Sequence, residues 1–443
     1  MKKNLFVLLV LFLQLSLLNV QAQTDSAEVK KGFTFGVLPA IAYDSDVGFR
    51  YGALTNLYWF GDGSQYPKYR HSLYAEWSKT TKGSGQTILR YDSEYLIPKV
   101  RMQLETSLFT EKALDFYGFN GAKSIFNADF SDQESGDNYI SRAYYRYDRK
   151  QIMLKSDFWG EIIGKELRWY AGFQFNKIDI ATVDVANING DLATDDPDYL
   201  DPSQKLLYDK YVDWGLIKAD QKEGGITTQL KLGFVYDTRD EEPNPTKGMW
   251  TEALVVLSPS FLGNDFAYSN LVLTHRQYIP IVENRLSAAL RLSYQAKIGG
   301  ETPFYMLPFY YSTFSTRDGL GGAKTIRGIL RNRVVGESVG LGNAELRWKF
   351  FRGKFLGQNL YLALSSFLDA GMVLKEYELD LTGVDPDELA ANFSTESERL
   401  HMAAGAGFHF VMNRNFIIAV DYGRALNEQD GASGLYIGLN FLY

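Results

Sequence analysis

Period-two alternation of apolar and polar residues dominates this chain. Leu286, Ala288, Leu290, Leu292, Tyr294, Ala296 and Ile298 share one face, and Ser287, Arg291, Ser293, Gln295 and Lys297 share the other. Successive side chains of a strand point to opposite faces, so this segment reads as a strand with one apolar side. Ala344, Leu346, Trp348 and Phe350 alternate in the same way with Asn343, Glu345, Arg347 and Lys349. Thr228, Leu230, Leu232, Phe234 and Tyr236 oppose Gln229, Lys231, Gly233 and Asp237. Leu167, Trp169, Ala171, Phe173 and Phe175 oppose Arg168, Tyr170, Gln174 and Asn176. The pattern predicts strands near 33–43, 47–60, 68–80, 85–97, 100–110, 140–155, 165–180 and 226–238. It continues near 248–260, 265–280, 284–299, 338–351, 358–372, 400–412, 415–425 and 432–443. That is about sixteen, an even number, as in single-chain barrels of the bacterial outer membrane.

A soluble β-sandwich also alternates, but its apolar face is mostly aliphatic. Here the apolar faces end on Tyr, Trp and Phe, as an aromatic girdle does. The chain carries 29 Tyr, 29 Phe and 7 Trp, which extends that pattern beyond the few strands quoted. It opens with MKKNLFVLLVLFLQLSLLNVQAQ: two lysines, an apolar run and a Val20-Gln21-Ala22 end. Those three zones predict a signal peptide over 1–22 and a mature chain over 23–443. No later stretch approaches the roughly 18 consecutive apolar residues that a spanning helix needs. In lipid every backbone polar group must find a partner within the protein, which leaves a closed barrel. The predicted fold is therefore all-β: a transmembrane antiparallel β-barrel of the bacterial outer membrane, bathed in outer-membrane lipid. The net charge of −7 argues against nucleic acid as a partner.

Loop lengths predict an orientation. With the N-terminus in the periplasm, the four long connections, near 111–139, 181–225, 300–337 and 373–399, all face outward. Short ones such as Ile97-Pro98-Lys99 and Asn413-Arg414-Asn415 face the periplasm, which is the usual asymmetry. The first strand begins about ten residues after the expected cleavage site, which leaves no room for a periplasmic domain ahead of it. The last strand, with Leu435, Ile437, Leu439, Phe441 and Tyr443 on one face, ends on an aromatic. Phe441 and Tyr443 resemble a terminal signal for outer-membrane assembly.

Four stretches over 226–443 share a further likeness. Asp237-Thr238-Arg239-Asp240 with Pro245-Thr246-Lys247-Gly248 forms a "D-T-R-D … P-x-x-G" strand-turn. Thr325-Ile326-Arg327-Gly328 is close to "V-R-G-[YF]", with Ile329 in place of the aromatic. Asn343-Ala344-Glu345-Leu346-Arg347 matches "N-x-E-x-R", and Phe367-Leu368-Asp369-Ala370-Gly371 matches "F-x-D-x-G". A weaker fifth is Ala404-Gly405-Ala406-Gly407 followed by Asp421-Tyr422-Gly423. In this order they resemble the bacterial surface antigen barrels of the BamA/TamA superfamily. The resemblance implies that the sixth outer loop folds into the lumen and that its arginine meets acids on the inner wall. A desolvated arginine needs a carboxylate, and its planar fork holds one bidentately. Alternation turns Glu345 and Asp369 inward, so Arg327 is expected to pair with Asp369, with Glu345 nearby, and to lock the loop through Arg327-Gly328. In the strand-turn, Asp237 and Arg239 are expected to pair while Pro243 and Pro245 stiffen the turn.

For function, the resemblance implies help with inserting or translocating proteins at the outer membrane. A weak seam between first and last strands would template an unfolded client strand, and a separate periplasmic partner would supply clients. Pro39 in the first strand lacks a ladder donor, which suits a seam. A loop-gated channel for small solutes or lipids is the alternative, and a binding or structural role for the acidic outer loops is a third. No enzyme activity and no cofactor are expected. His71, His275, His401 and His409 lack metal spacing, and there is no cysteine. Gly83-Ser84-Gly85 reads as a hairpin tip, and Gly319-Leu320-Gly321-Gly322 follows no βα pattern that would make it a phosphate loop. Asp195, Asp196 and Asp198 in the longest loop read as a solvated face rather than a calcium site.

Overall fold

The alternating segments are sorted in the reverse of a soluble protein. Leu292 is 66% exposed, Phe234 58% and Trp348 51%, while Arg291, Lys231 and Glu345 on the same strands are each 3% exposed or less. Apolar side chains outward and polar ones inward is the arrangement that lipid demands of a barrel. The computed structural model describes residues 29, 31–44, 48–66, 68–196, 199–313, 318–355, 358–412 and 416–443. The expected signal peptide, Asp198 and the Asn413-Arg414-Asn415 turn lie outside them.

The strands are β1 (Gly32–Pro39), β2 (Ala42–Asp44), β3 (Gly48–Gly61), β4 (His71–Thr80), β5 (Gly85–Ile97), β6 (Val100–Asp115), β7 (Arg146–Ile163) and β8 (Leu167–Ala181). They continue as β9 (Gly224–Asp237), β10 (Gly248–Ser258), β11 (Tyr268–Val282), β12 (Leu286–Gly300), β13 (Ser338–Phe355), β14 (Gln358–Lys375), β15 (His401–Met412), β16 (Phe416–Ala425) and β17 (Ser433–Leu439). β1 and β2 both pair with β3 and are two parts of one interrupted wall strand. The wall therefore has sixteen strands, each antiparallel to the next, and β17 closes it on β2.

Several boundaries move by a few residues from the sequence expectation, and two of the shifts have a clear cause. The strand predicted over 140–155 runs over Arg146–Ile163, because β6 itself extends to Asp115 and pairs Leu114 and Asp115 with Tyr147 and Arg146. The last strand stops at Leu439, where Asn440 takes a left-handed backbone (φ 69°). Leu435 and Leu439 face outward, but Phe441 and Tyr443 are buried. The alternation fails there because partners wait inside. Phe441 stacks on His409 with centroids 4.2 Å apart, and the Arg347 guanidinium lies 4.4 Å from its ring centre.

The long connections gather at one end of the barrel. Phe116, Phe119, Tyr208, Tyr211 and Phe304 from three of them form an aromatic cluster over the lumen. Edge-to-face contacts such as Phe116–Tyr211, with centroids 5.1 Å apart, stabilise it beyond the area buried. The other end carries the short turns.

Candidate functional site

After β12 the chain turns back along the inner wall. Leu320, Ile326, Ile329 and Val334 pack on Leu341 of β13, Val373 of β14 and Ala403 of β15, all inward-facing residues. Ile329, in place of the aromatic of the motif, is buried in this cluster. Thr325 holds the loop's tight turn: its Oγ1 donates to the carbonyls of Gly319 (3.2 Å) and Gly321 (2.9 Å). Asn343 of β13 donates from Nδ2 to the Thr325 carbonyl at 2.8 Å, which fixes that turn to the wall.

Arg327 then reaches into a cluster of carboxylates. Its backbone N–H (3.1 Å) and Nε (2.9 Å) donate to Asp369 Oδ2, and its Nη2 donates to Oδ1 at 3.2 Å. Nη2 also lies 3.2 Å from Glu345 Oε2, and Nη1 donates to Asp421 Oδ2 at 3.3 Å. The guanidinium sits 3.5 Å from the Phe367 ring centre, within cation–π range. One buried cation thus joins carboxylates from β13, β14 and β16. Glu345 in turn accepts Arg347 Nε at 3.0 Å, and Arg347 Nη2 donates to the Tyr443 carbonyl at 2.9 Å. The loop and the chain end beyond β17 therefore share Glu345.

Gly328 lets the backbone come close. Its φ is 98°, and a Cβ there would stand 2.5–2.6 Å from the backbone of Gly423 and Arg424 on β16. A Cβ on Gly423 would meet the Arg327 and Gly328 backbone just as tightly. Gly423→Val is accordingly expected to lift the loop from β16, and protease accessibility at 325–328 would reveal it. An unchanged cleavage pattern would contradict that close approach.

Of the residues picked out from the sequence, Arg327, Glu345 and Asp369 meet, while Gly328 lies against Gly423 of β16. Sequence reasoning missed Asp421 as the third carboxylate, although Asp421-Tyr422-Gly423 stood out as a weak motif. It also missed two further anchors. Arg331 Nη2 donates to Glu111 at 2.6 Å and to Asp318 at 2.5 Å. Arg333 donates to the carbonyls of Gly121 (2.8 Å), Ser124 (2.7 Å) and Gln429 (2.7 Å). Their partners lie up to 220 residues away, so no local pattern marks them. His401, which stands in no metal-binding spacing in the sequence, bridges Asp430 (2.6 Å) and Glu398 (3.2 Å) at the long-loop end. Among the described residues no group of three or more His, Cys, Asp or Glu is arranged to hold a metal ion.

In the strand-turn, Arg239 holds Asp237 with two bonds, Nε to Oδ1 at 2.9 Å and Nη2 to Oδ2 at 3.1 Å, beneath the Trp250 ring. Asp240 accepts from the N–H of Thr246 (2.9 Å), Lys247 (3.3 Å) and Glu241 (3.0 Å) and from Thr246 Oγ1 (2.7 Å). Burial pushes the Asp240 carboxyl up, but these bonds outweigh it and hold the group below its ordinary range. A depressed carboxyl stabilises the fold above its unfolded value, about 3.9, and loses that contribution as pH falls through the folded one. Asp240→Ala should lower the unfolding free energy by about 1 kcal/mol at neutral pH. The deficit should shrink below about pH 4; a pH-independent deficit would contradict the reading.

The Omp85 superfamily domain matches residues 79–441. Among solved structures, BamA from Haemophilus ducreyi lacking POTRA domains 1–3 is 16% identical, with a TM-score of 0.54; the alignment covers 93% of this chain and 71% of that one. CdiB from Escherichia coli is 10% identical, with a TM-score of 0.54, over 94% of this chain and 64% of that one. The chain thus spans less than two thirds of the CdiB chain. At such identities the likeness is one of fold. No curated protein matches the sequence.

Proposed function

The chain belongs to the Omp85 superfamily, and on that premise we propose that it assists the insertion or translocation of proteins at the bacterial outer membrane. The observation that carries this is the seam. β17 joins β2 through Tyr436 opposite Asp44 and Ile437 opposite Tyr43. By contrast, β16 and β17 are in register from Ile418–Leu439 to Arg424–Ser433. Continued in the same register, the seam would set Phe441 opposite Pro39. The chain instead turns inward at Asn440, and β1 has β3 as its strand partner among the described residues.

The second edge of β1 is therefore a template for another strand, with Phe33, Phe35 and Val37 exposed along it. Unpaired backbone groups in lipid cost several kcal/mol each, so an incoming strand of an unfolded client is drawn to that edge. The docked loop is the fixed part of this mechanism. Arg327 ties β13, β14 and β16 together, so the wall beside the seam keeps its shape while the seam opens. A separate periplasmic partner completes the reading by presenting the client.

The test is insertion of an unfolded outer-membrane barrel protein into vesicles that carry this protein, against empty vesicles. Faster insertion supports the proposal. Ion conductance without faster insertion would instead favour a loop-gated channel for small solutes or lipids.

A further inference from the structure

At the short-turn end, a cavity of about 310 Å³ opens among the turns β3–β4, β5–β6 and β7–β8. Lys68, Lys99, Arg101, Lys165 and Arg168 line it. Against these five cations stand two lining carboxylates, Glu94 and Glu161, in a chain whose net charge is −7.

The deeper cations are already matched to carboxylates. Arg101 donates to Asp92 from Nη2 at 3.0 Å, and its Nη1 takes Glu242 at 3.2 Å from the β9–β10 turn. Glu94 lies 3.0 Å from Lys68 Nζ, 3.8 Å from Arg101 Nη1 and 4.0 Å from Arg168 Nη1. One lining cation, Arg101, thus already holds a carboxylate, Glu242, from a neighbouring polypeptide turn. The exposed Lys99 and Lys165, on different turns, form no ion pair among the described residues. Trp159 also lines the cavity; it is 4% exposed, and its indole Nε1 has no hydrogen-bond partner.

We propose that this cavity binds an acidic polypeptide segment, with Lys99 and Lys165 each taking a carboxylate at the lip. The partner is identified as periplasmic only through the orientation and function proposed above. A compact phosphate is matched by converging guanidinium forks, and here Asp92, Glu94 and Glu242 engage the fork of Arg101. The other fork, that of Arg168, is held by the Lys165 carbonyl at 3.0 Å and lies 4.0 Å from Glu94. The three ammonium groups, Lys68, Lys99 and Lys165, are carried on separate turns, which suits carboxylates spaced along an extended chain.

The experiment measures fluorescence anisotropy of a labelled dodecapeptide of alternating Glu and Ser, titrated with the folded full chain in uncharged detergent. Lys99→Gln combined with Lys165→Gln removes the lip cations at exposed positions, and heat-modifiable gel migration checks that the variant is folded. Binding of the Glu peptide that weakens with salt, absent for a Gln-for-Glu peptide and about five- to tenfold weaker in the double variant, is the expected result. Equal affinity in wild type and variant would overturn the proposal. So would displacement of the peptide by glycerol phosphate at a concentration below that at which the peptide binds, which would mark a lipid-headgroup site. Client insertion is not part of the readout, so a failure of the insertase reading would leave this result standing and the reverse also holds.

Discussion

Arg327→Ala should lower the barrel's urea unfolding midpoint, and by more than Asp240→Ala does. It should also expose the loop around 325–328 to protease. Removing the guanidinium leaves Asp369, Glu345 and Asp421 facing one another without the cation that joins them. Breaking a buried pair from one side costs about 3–5 kcal/mol, because the remaining charge stays desolvated. Arg327→Lys keeps a charge but loses the fork that holds both oxygens of Asp369, so its midpoint should fall between wild type and Ala. Adding Asp369→Asn to Arg327→Ala removes one of the stranded charges and should recover part of the loss. A midpoint unchanged in Arg327→Ala, with the loop still protected, would rule out the lock.

The second large effect concerns the seam. The chain has no cysteine, so Tyr43→Cys with Ile437→Cys introduces one defined pair. Residues directly opposite on antiparallel strands have Cα atoms roughly 4.5–5.5 Å apart, within the span of a disulfide. Oxidation should reduce client insertion to the level of empty vesicles, and reductant should restore it. Trp348→Cys with Leu364→Cys, a pair opposite each other on β13 and β14, should bridge without changing insertion. Full activity of the oxidised seam variant would mean that insertion does not pass between β17 and β2.

Most of the wall was legible because membrane strands repeat a single rule. Asn343 to Phe350 alternates without a break and Leu286 to Ile298 with one, Ala289 on the inward face, because lipid lies on one side and a polar lumen on the other. The rule failed where the solvent changes. Phe441 and Tyr443 keep the alternation in sequence, yet they leave the wall for Arg347 and His409, which stand in register only once the barrel has closed. The interruption after Pro39 was visible as a missing donor, but the open edge of β1 depends on where β17 turns away, some 400 residues later. For the loop, Arg327 and Asp369 could be paired from motif and parity. Asp421 required knowing that Gly423 lets the Arg327-Gly328 backbone touch β16, a contact between two glycines that leaves no charge signature. Beyond Asp318, the partners of Arg331 and Arg333 are Glu111 and backbone carbonyls of other long connections, and long-loop packing has no sequence period to read.

The most direct measurement is photo-crosslinking from β1 while an unfolded client inserts into vesicles. A photoreactive residue at Val37, on the open-edged strand, should capture the client, and one at Leu364, on a wall strand paired on both sides, should not. Client capture at both positions alike, or at neither while insertion proceeds, would contradict templating at the β1 edge.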